Sequence, residues 1–283
     1  MANTRTAGQS VMVWTGRVLT GLVGALMILL GVMLVVAPPM VVDNTVQQGF
    51  DAAIIRPLGG VVLACAAFYL VPRTTVLGAI LLTGYFGGAI AVHVRAGEAF
   101  LPAAVLGVIV WLGPWLRDGR LRAQLPWRTP AKVPTDAVAK PGTPTVLARV
   151  GWVLTALVGA FLVFDAAGKL ARVPFVVEMT EQLGYDRSVI VPLGVVLLAA
   201  TVLYLLPWTA VPGAVLVTGY LGGAVGTHVR AHPHEAFPIA FPVLLGAVAW
   251  LALVLRDGRL RALLPWRTPP AAAAVDAGTR AEA

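Results

Sequence analysis

One glycine-rich run occurs twice in this chain. It begins at Thr83 and again at Thr218, reads Thr-Gly-Tyr-x-Gly-Gly in both places, and ends in His-Val-Arg. The two starts are 135 residues apart, and the same offset aligns most of the first half with the second. Self-similarity of this kind predicts two copies of one structural unit. A fold proposed for one half must therefore suit the other.

Long uncharged segments fill both copies. Hydrophobic residues make up 58% of the chain and charged residues 12%, unlike the shares found in soluble domains. About 20 apolar residues cross the ~30 Å hydrocarbon core as a helix. We therefore predict an all-α membrane protein with eight transmembrane helices, arranged as two parallel-oriented four-helix repeats. The predicted spans are residues 13–36, 54–71, 75–94, 100–116, 150–170, 189–206, 210–229 and 237–255.

The repeat boundaries follow from these spans. Repeat 1 is predicted to cover residues 11–128 and repeat 2 residues 149–267. The Pro- and Thr-rich segment 129–148 is predicted to be a flexible linker, and the alanine-rich tail 268–283 to be disordered. Polar residues scattered through segment 40–53 indicate a short helix on the membrane surface.

The basic residues predict orientation rather than nucleic-acid binding. The net charge is +8, but most arginines flank apolar segments, where they set topology. We expect both termini and the linker to be cytoplasmic, and the repeats to be related by an axis near the membrane normal. The cations on that side are Arg5, Arg17, Arg73, Arg117, Arg120, Arg122, Arg128, Lys132, Lys140, Arg149, Arg256, Arg259, Arg261 and Arg267.

The glycine-rich run predicts close helix packing. Small residues four apart share one helix face and let a neighbouring helix approach closely. The residues in question are Gly84, Gly88, Gly219 and Gly223. Tyr85 and Tyr220 lie deep in the same spans, and a buried phenol normally finds a hydrogen-bond partner such as a backbone carbonyl.

An acid and a base lie inside the fifth span. Asp165 and Lys169 are four residues apart and share a helix face. A carboxylate inside the membrane costs about 2.5 to 3.5 kcal/mol on insertion scales, which makes it a functional candidate. His228 and Arg230 come out at a similar depth by helical rise. We predict a shared polar cluster on the outer side; the alternatives are a structural ion pair and interfacial anchors.

The two copies differ at this cluster. The offset places Leu30 opposite Asp165 and Leu34 opposite Lys169. Further candidates are Tyr220 and Glu178 in copy two, and the counterparts in copy one are His93, Arg95, Tyr85 and Asp43. We therefore expect a site in copy two, with copy one as a degenerate scaffold.

Other kinds of chemistry find little support. His228, His232, His234 and Glu235 have metal-ligand side chains, but Pro233 interrupts the segment, so a surface loop is the preferred interpretation and no metal site is predicted. Cys65 is the one cysteine, which excludes an intrachain disulfide. The chain contains no P-loop, dinucleotide fingerprint or nucleophile elbow. This disfavours a self-contained enzyme.

Several motifs of copy two occur in a familiar order. Phe164-Asp-x-x-x-Lys-Leu170, then Leu183-Gly-Tyr185, then the run from Thr218 to Arg230 resemble the DoxX-like family of small four-helix membrane proteins. The resemblance implies a four-helix bundle in the bacterial cytoplasmic membrane. The wider superfamily includes a small subunit of a thiosulfate:quinone oxidoreductase and a subunit needed for methylamine utilisation. A quinone-like ligand and a redox partner subunit are thus implied by analogy.

Three hypotheses for function remain. The first is an accessory or ligand-binding subunit of a membrane redox system, with Asp165 and His228 holding the ligand's polar groups. The second is a small-solute permease or exporter that uses the cluster as a gate. The third is a purely structural membrane protein.

Overall fold

A computed structural model of the protein describes residues 7–126, 146–257 and 260. The regular structure of these residues is entirely helical. The predicted tail 268–283 and most of the predicted linker lie outside the described residues, as do the cations Arg5, Arg128, Lys132, Lys140, Arg259, Arg261 and Arg267.

The helices follow the same order in both copies. Copy one forms α1 (Ala7–Val36), α2 (Pro39–Gln47), α3 (Ile55–Leu70), α4 (Thr75–Ala96), α5 (Leu101–Arg117) and the short α6 (Gly119–Arg122). Copy two forms α7 (Val146–Leu170), α8 (Pro174–Gln182), α9 (Ile190–Leu205), α10 (Ala210–Ala231) and α11 (Ala236–Arg256). Helix α7 begins at Val146, inside the segment predicted as a linker. The surface helix predicted in segment 40–53 corresponds to α2.

Within the described residues, seven helices are long and apolar enough to cross a membrane. They are α1, α4, α7, α10, α11, and α3 and α9 together with the 3-10 turns that precede them. Helix α5 is apolar but has only 17 residues. The prediction of an all-α, multi-span protein with about eight membrane helices is confirmed.

Each copy is a closed four-helix bundle. In copy one α1 packs on α3, α3 on α4, α4 on α5, and α5 again on α1; α7, α9, α10 and α11 form the same ring in copy two. Tyr69 donates a hydrogen bond to the carbonyl of Val110 at 2.9 Å, and Tyr204 donates to the carbonyl of Ala249 at 3.1 Å. These buried phenols satisfy their polar groups on the helix that faces them.

A second matched contact fixes the glycine-rich helices in their bundles. The indole Nε1 of Trp111 donates to Thr83 Oγ1 at 2.8 Å, and that of Trp250 donates to Thr218 Oγ1 at 2.8 Å. The two threonine hydroxyls in turn donate to carbonyls one turn earlier in their own helices. Because each threonine opens a glycine-rich run, the repeated motif is built around a repeated contact.

The end of each bundle at which α4 and α10 finish is called here the distal end, and its turns contain glycine and aspartate at matching positions. The short helices α2 and α8 lie there and are followed by Gly49 and Gly184, whose φ angles are +86° and +81°. Glycine adopts this left-handed conformation without steric cost. Asp51 and Asp186 then accept backbone N–H bonds that open the turns before α3 and α9.

The two bundles pack against each other along α4 and α10. A Cβ atom on Gly87 would lie 1.8 Å from the carbonyl oxygen of Gly219, and one on Gly222 would lie 2.1 Å from that of Gly84. The offset of 135 residues relates Gly87 to Gly222 and Gly84 to Gly219, so each contact is the counterpart of the other. A pseudo-twofold axis therefore runs between the two helices. The neighbouring helix predicted for the glycine-rich span is therefore the same span of the other copy.

Candidate functional site

Asp165 and Lys169 form an ion pair on one face of α7, near the distal end. The side chain of Asp165 is 32% exposed and that of Lys169 is 13% exposed. A Cβ atom on Gly194 of α9 would lie 3.0 Å from the Cβ of Lys169, so the glycine leaves room for the lysine stem. The base is thus packed inside the bundle while the acid remains accessible from outside.

Tyr220 faces this ion pair from α10. The Lys169 ammonium lies 6.0 Å from the centre of the Tyr220 ring, within the range of a cation–π interaction. Among residues 7–126, 146–257 and 260, no hydrogen bond joins the Tyr220 hydroxyl to another group, whereas Tyr204 bonds to a facing carbonyl. The carbonyl partner predicted for Tyr85 and Tyr220 is not found among the described residues, whereas Tyr69 and Tyr204 have such a partner.

Aromatic side chains line the outer surface beside Asp165. Phe161 lies one helical turn before Asp165 on α7, and its ring meets that of Phe241 edge to face with centroids 5.3 Å apart. Phe237, which is 77% exposed, lies 5.9 Å from Phe241. An exposed aromatic surface between α7 and α11 therefore leads to the accessible acid.

His228 lies beside His232 at the end of α10. Its Nδ1 is buried and has no hydrogen-bond partner among the described residues, and its ring centroid lies 6.0 Å from that of His232. His232 in turn contacts Glu235 at 3.3 Å. In the described part of the chain, no hydrogen bond or ion pair joins His228 to Asp165, and no group of three or more His, Cys, Asp and Glu residues is arranged to hold a metal ion.

Arg95 and Arg230, in the last turns of α4 and α10, contact the short surface helices. Arg230 donates to the carbonyl of Leu183 at the end of α8, and Arg95 donates to the carbonyl of Gln48 at the end of α2, at 2.6 Å. Cationic side chains are favoured at helix C-termini. Arg230 thus contacts α8 rather than the carboxylate of Asp165.

The remaining candidates lie on exposed surface. Glu178 and its counterpart Asp43 are exposed on α8 and α2. His93 has a partner just after its own helix, since its Nδ1 lies 2.8 Å from a carboxylate oxygen of the exposed Glu98. None of these three contacts Asp165 through a hydrogen bond or ion pair within the described residues.

Sequence reasoning did not predict the hydrogen bond between the hydroxyls of Tyr185 and Thr227. The two oxygens are 2.7 Å apart and both residues are buried, and the Tyr185 hydroxyl also donates to the carbonyl of Ala91 in the other bundle at 3.4 Å. The signal was present, because the offset of 135 places Phe50 opposite Tyr185 and Val92 opposite Thr227. A systematic search for positions that are polar in one copy only would have found them.

Comparison with known proteins gives one match. A profile of the DoxX-like family matches residues 18–113 and again residues 153–252. Each match lies within one four-helix bundle, and together they cover more than half of the chain, so the predicted tandem duplication is confirmed. A search of curated proteins found no match, and a search of solved structures found none.

Proposed function

Because the chain belongs to the DoxX-like family, we propose that it is an accessory subunit of a membrane redox system that holds a quinone-like molecule in its second bundle. The ligand would lie on the aromatic surface of Phe161 and Phe241. Its polar end would reach Asp165, Lys169 and Tyr220. The protein itself would supply the binding site and a partner subunit the redox chemistry.

The comparison of the two copies carries this proposal. Leu30 and Leu34 occupy in copy one the places of Asp165 and Lys169, and copy one forms the same closed ring of helices. The fold therefore does not need the ion pair. Since a buried ion pair contributes little net stability compared with apolar side chains, its presence in copy two is better explained by binding than by architecture.

The surroundings of the ion pair favour a flat, partly polar ligand. The Tyr220 hydroxyl can donate or accept a hydrogen bond, Lys169 can donate, and the accessible Asp165 holds the lysine in place. A quinone presents two carbonyl acceptors on an apolar ring, which suits two such donors beside exposed phenylalanines. Leu26 replaces Phe161 in copy one, so the aromatic surface belongs to copy two as well.

Location in a bacterial inner membrane with cytoplasmic termini completes the proposal. In the sequence, more cations flank the bundle ends opposite to Arg95 and Arg230, Arg17, Arg117 and Arg256 among them, than flank the distal end, which also carries Arg56, Lys169, Arg172 and Arg187. The positive-inside rule favours the cytoplasmic side for the end with more cations. The quinone would then bind toward the outer leaflet.

Calorimetric titration of the full chain in lipid nanodiscs with ubiquinone-1 tests the site. Wild-type protein should bind the quinone, and the double variant D165L/K169L, which carries the leucines of copy one, should bind at least about tenfold more weakly. The control is E181Q/R187Q, which removes an exposed distal ion pair of 2.9 Å. Absence of binding to wild type, or equal binding by D165L/K169L, would refute the proposal.

A further inference from the structure

Two arginines meet on the pseudo-twofold axis at the distal end. A Cβ atom on Gly184 would lie 3.6 Å from Cδ of Arg95 and 3.5 Å from Nη2 of Arg230. On the other side of the axis, a Cβ on Gly49 would lie 3.5 Å from Cδ of Arg230. Both side chains, one from each bundle, therefore occupy the same small region beneath α2 and α8.

Neither arginine has an acidic partner in the part of the chain that the structure describes. Within residues 7–126, 146–257 and 260, no carboxylate forms an ion pair with Arg95 or Arg230. Among the described residues, each donates one hydrogen bond to a helix C-terminus, and the buried Nε of Arg95 has no partner there. Since a guanidinium has five N–H donors, most of the donor capacity of the pair is unused.

The helix C-termini that the two arginines contact balance only part of their positive charge. The C-termini of α2 and α8 each contribute about −0.5 of a charge, against one positive charge from each arginine. About one positive charge therefore remains in a region of two adjacent like charges. A single monovalent anion would neutralise it.

We propose that Arg95 and Arg230 together bind one phosphate-type oxyanion on this axis. The planar fork of arginine matches phosphate oxygens in a bidentate manner. Helices α4 and α10 have 22 residues each, which is about 33 Å and a full crossing of the hydrocarbon core. Their last turns therefore lie at headgroup depth, where either a lipid phosphodiester or a dissolved phosphate can reach them.

Native mass spectrometry of the full chain tests this inference. Protein purified in a neutral detergent is mixed with phosphatidylglycerol, with phosphatidylcholine, or with inorganic phosphate. We expect one anion per chain, and R95Q/R230Q should bind it about a hundredfold more weakly, or about tenfold per arginine removed. Dependence on phosphatidylglycerol identifies a lipid headgroup, whereas the same arginine-dependent binding of inorganic phosphate identifies a free anion.

Three further variants keep the result decisive. R187Q removes an exposed distal arginine that is paired with Glu181 and should bind as wild type does. The variant R230K keeps the positive charge and replaces R95Q/R230Q as the test if that variant does not fold. R230K should weaken anion binding by less than tenfold. D165L/K169L should bind the anion normally, which separates this site from the quinone site. Equal retention of phosphatidylglycerol and phosphatidylcholine without phosphate binding, or full binding by R95Q/R230Q, would overturn the inference.

Discussion

A Cβ atom on Gly87 would lie 1.8 Å from the carbonyl oxygen of Gly219, closer than any side-chain carbon can approach. The contact lies on the interface between α4 and α10, the helices through which the bundles meet. We predict that Gly87→Ala lowers the free energy of unfolding by about 1 to 3 kcal/mol, the usual cost of overpacking. Denaturant titration followed by circular dichroism in detergent measures this change.

Matched substitutions separate packing from helix propensity. A Cβ on Gly60, in α3, would meet nothing within 4 Å, so Gly60→Ala should be neutral or stabilising by up to about 1 kcal/mol. Gly222→Ala should behave like Gly87→Ala, because its Cβ would lie 2.1 Å from the Gly84 carbonyl. Equal stabilities for the alanine variants at positions 60 and 87 would contradict the prediction.

The same interface predicts that the halves stay together without a covalent link. To test this, a protease site is inserted within residues 127–145, between the described parts of the chain, and the folded protein is treated with the protease. The wild-type halves should co-elute in size-exclusion chromatography, since the α4–α10 packing is intact. The halves of a G87A/G222A variant should elute separately. Separation of the wild-type halves would show that the interface is too weak for this role.

The sequence predicted the helices and their duplication because both depend on local patterns. Apolar length defines a span, and an offset of 135 defines a repeat. The residue at which α4 and α10 approach most closely was harder to predict from the sequence. A spacing of four selects Gly84 and Gly219, whose carbonyls do form the tight contacts, but the positions at which a Cβ would clash are Gly87 and Gly222. The crossing of two helices decides this, and no single helix encodes it.

The candidate site was predictable in part for a similar reason. Asp165 and Lys169 are neighbours on one helix, so their ion pair follows from helical geometry. The depth of a residue along its helix gave no information on the direction in which its side chain points. Helical rise placed His228 at the depth of Asp165, yet no bond joins the two within the described chain, and His228 lies beside His232. Which bundle face a side chain occupies depends on the tertiary packing.

A repeated hydrogen bond allows the two bundles to be compared directly. Thr218→Val removes the acceptor for the Trp250 indole, and Thr83→Val removes that for Trp111. Each change leaves an indole N–H unpaired in an apolar setting, so each should cost about 1 to 3 kcal/mol of unfolding free energy. Denaturant titration followed by tryptophan fluorescence measures both. Thr74→Val is the control, since its hydroxyl donates only to the exposed carbonyls of Phe68 and Val71; an equal loss there would contradict the prediction.

A double-mutant cycle at the ion pair tests whether it supports the fold. Asp165→Leu alone leaves Lys169, which is 13% exposed, without its partner, and should lower the free energy of unfolding by about 3 kcal/mol. This value is at the low end for a broken buried ion pair, because the lysine can extend toward water. Adding Lys169→Leu should restore stability to the wild-type level or above, since leucines fill these places in copy one. Thermal unfolding of the four proteins measures the coupling. If the double variant were as unstable as the single one, the ion pair would be structural, and the main argument for a ligand in the second bundle would be lost.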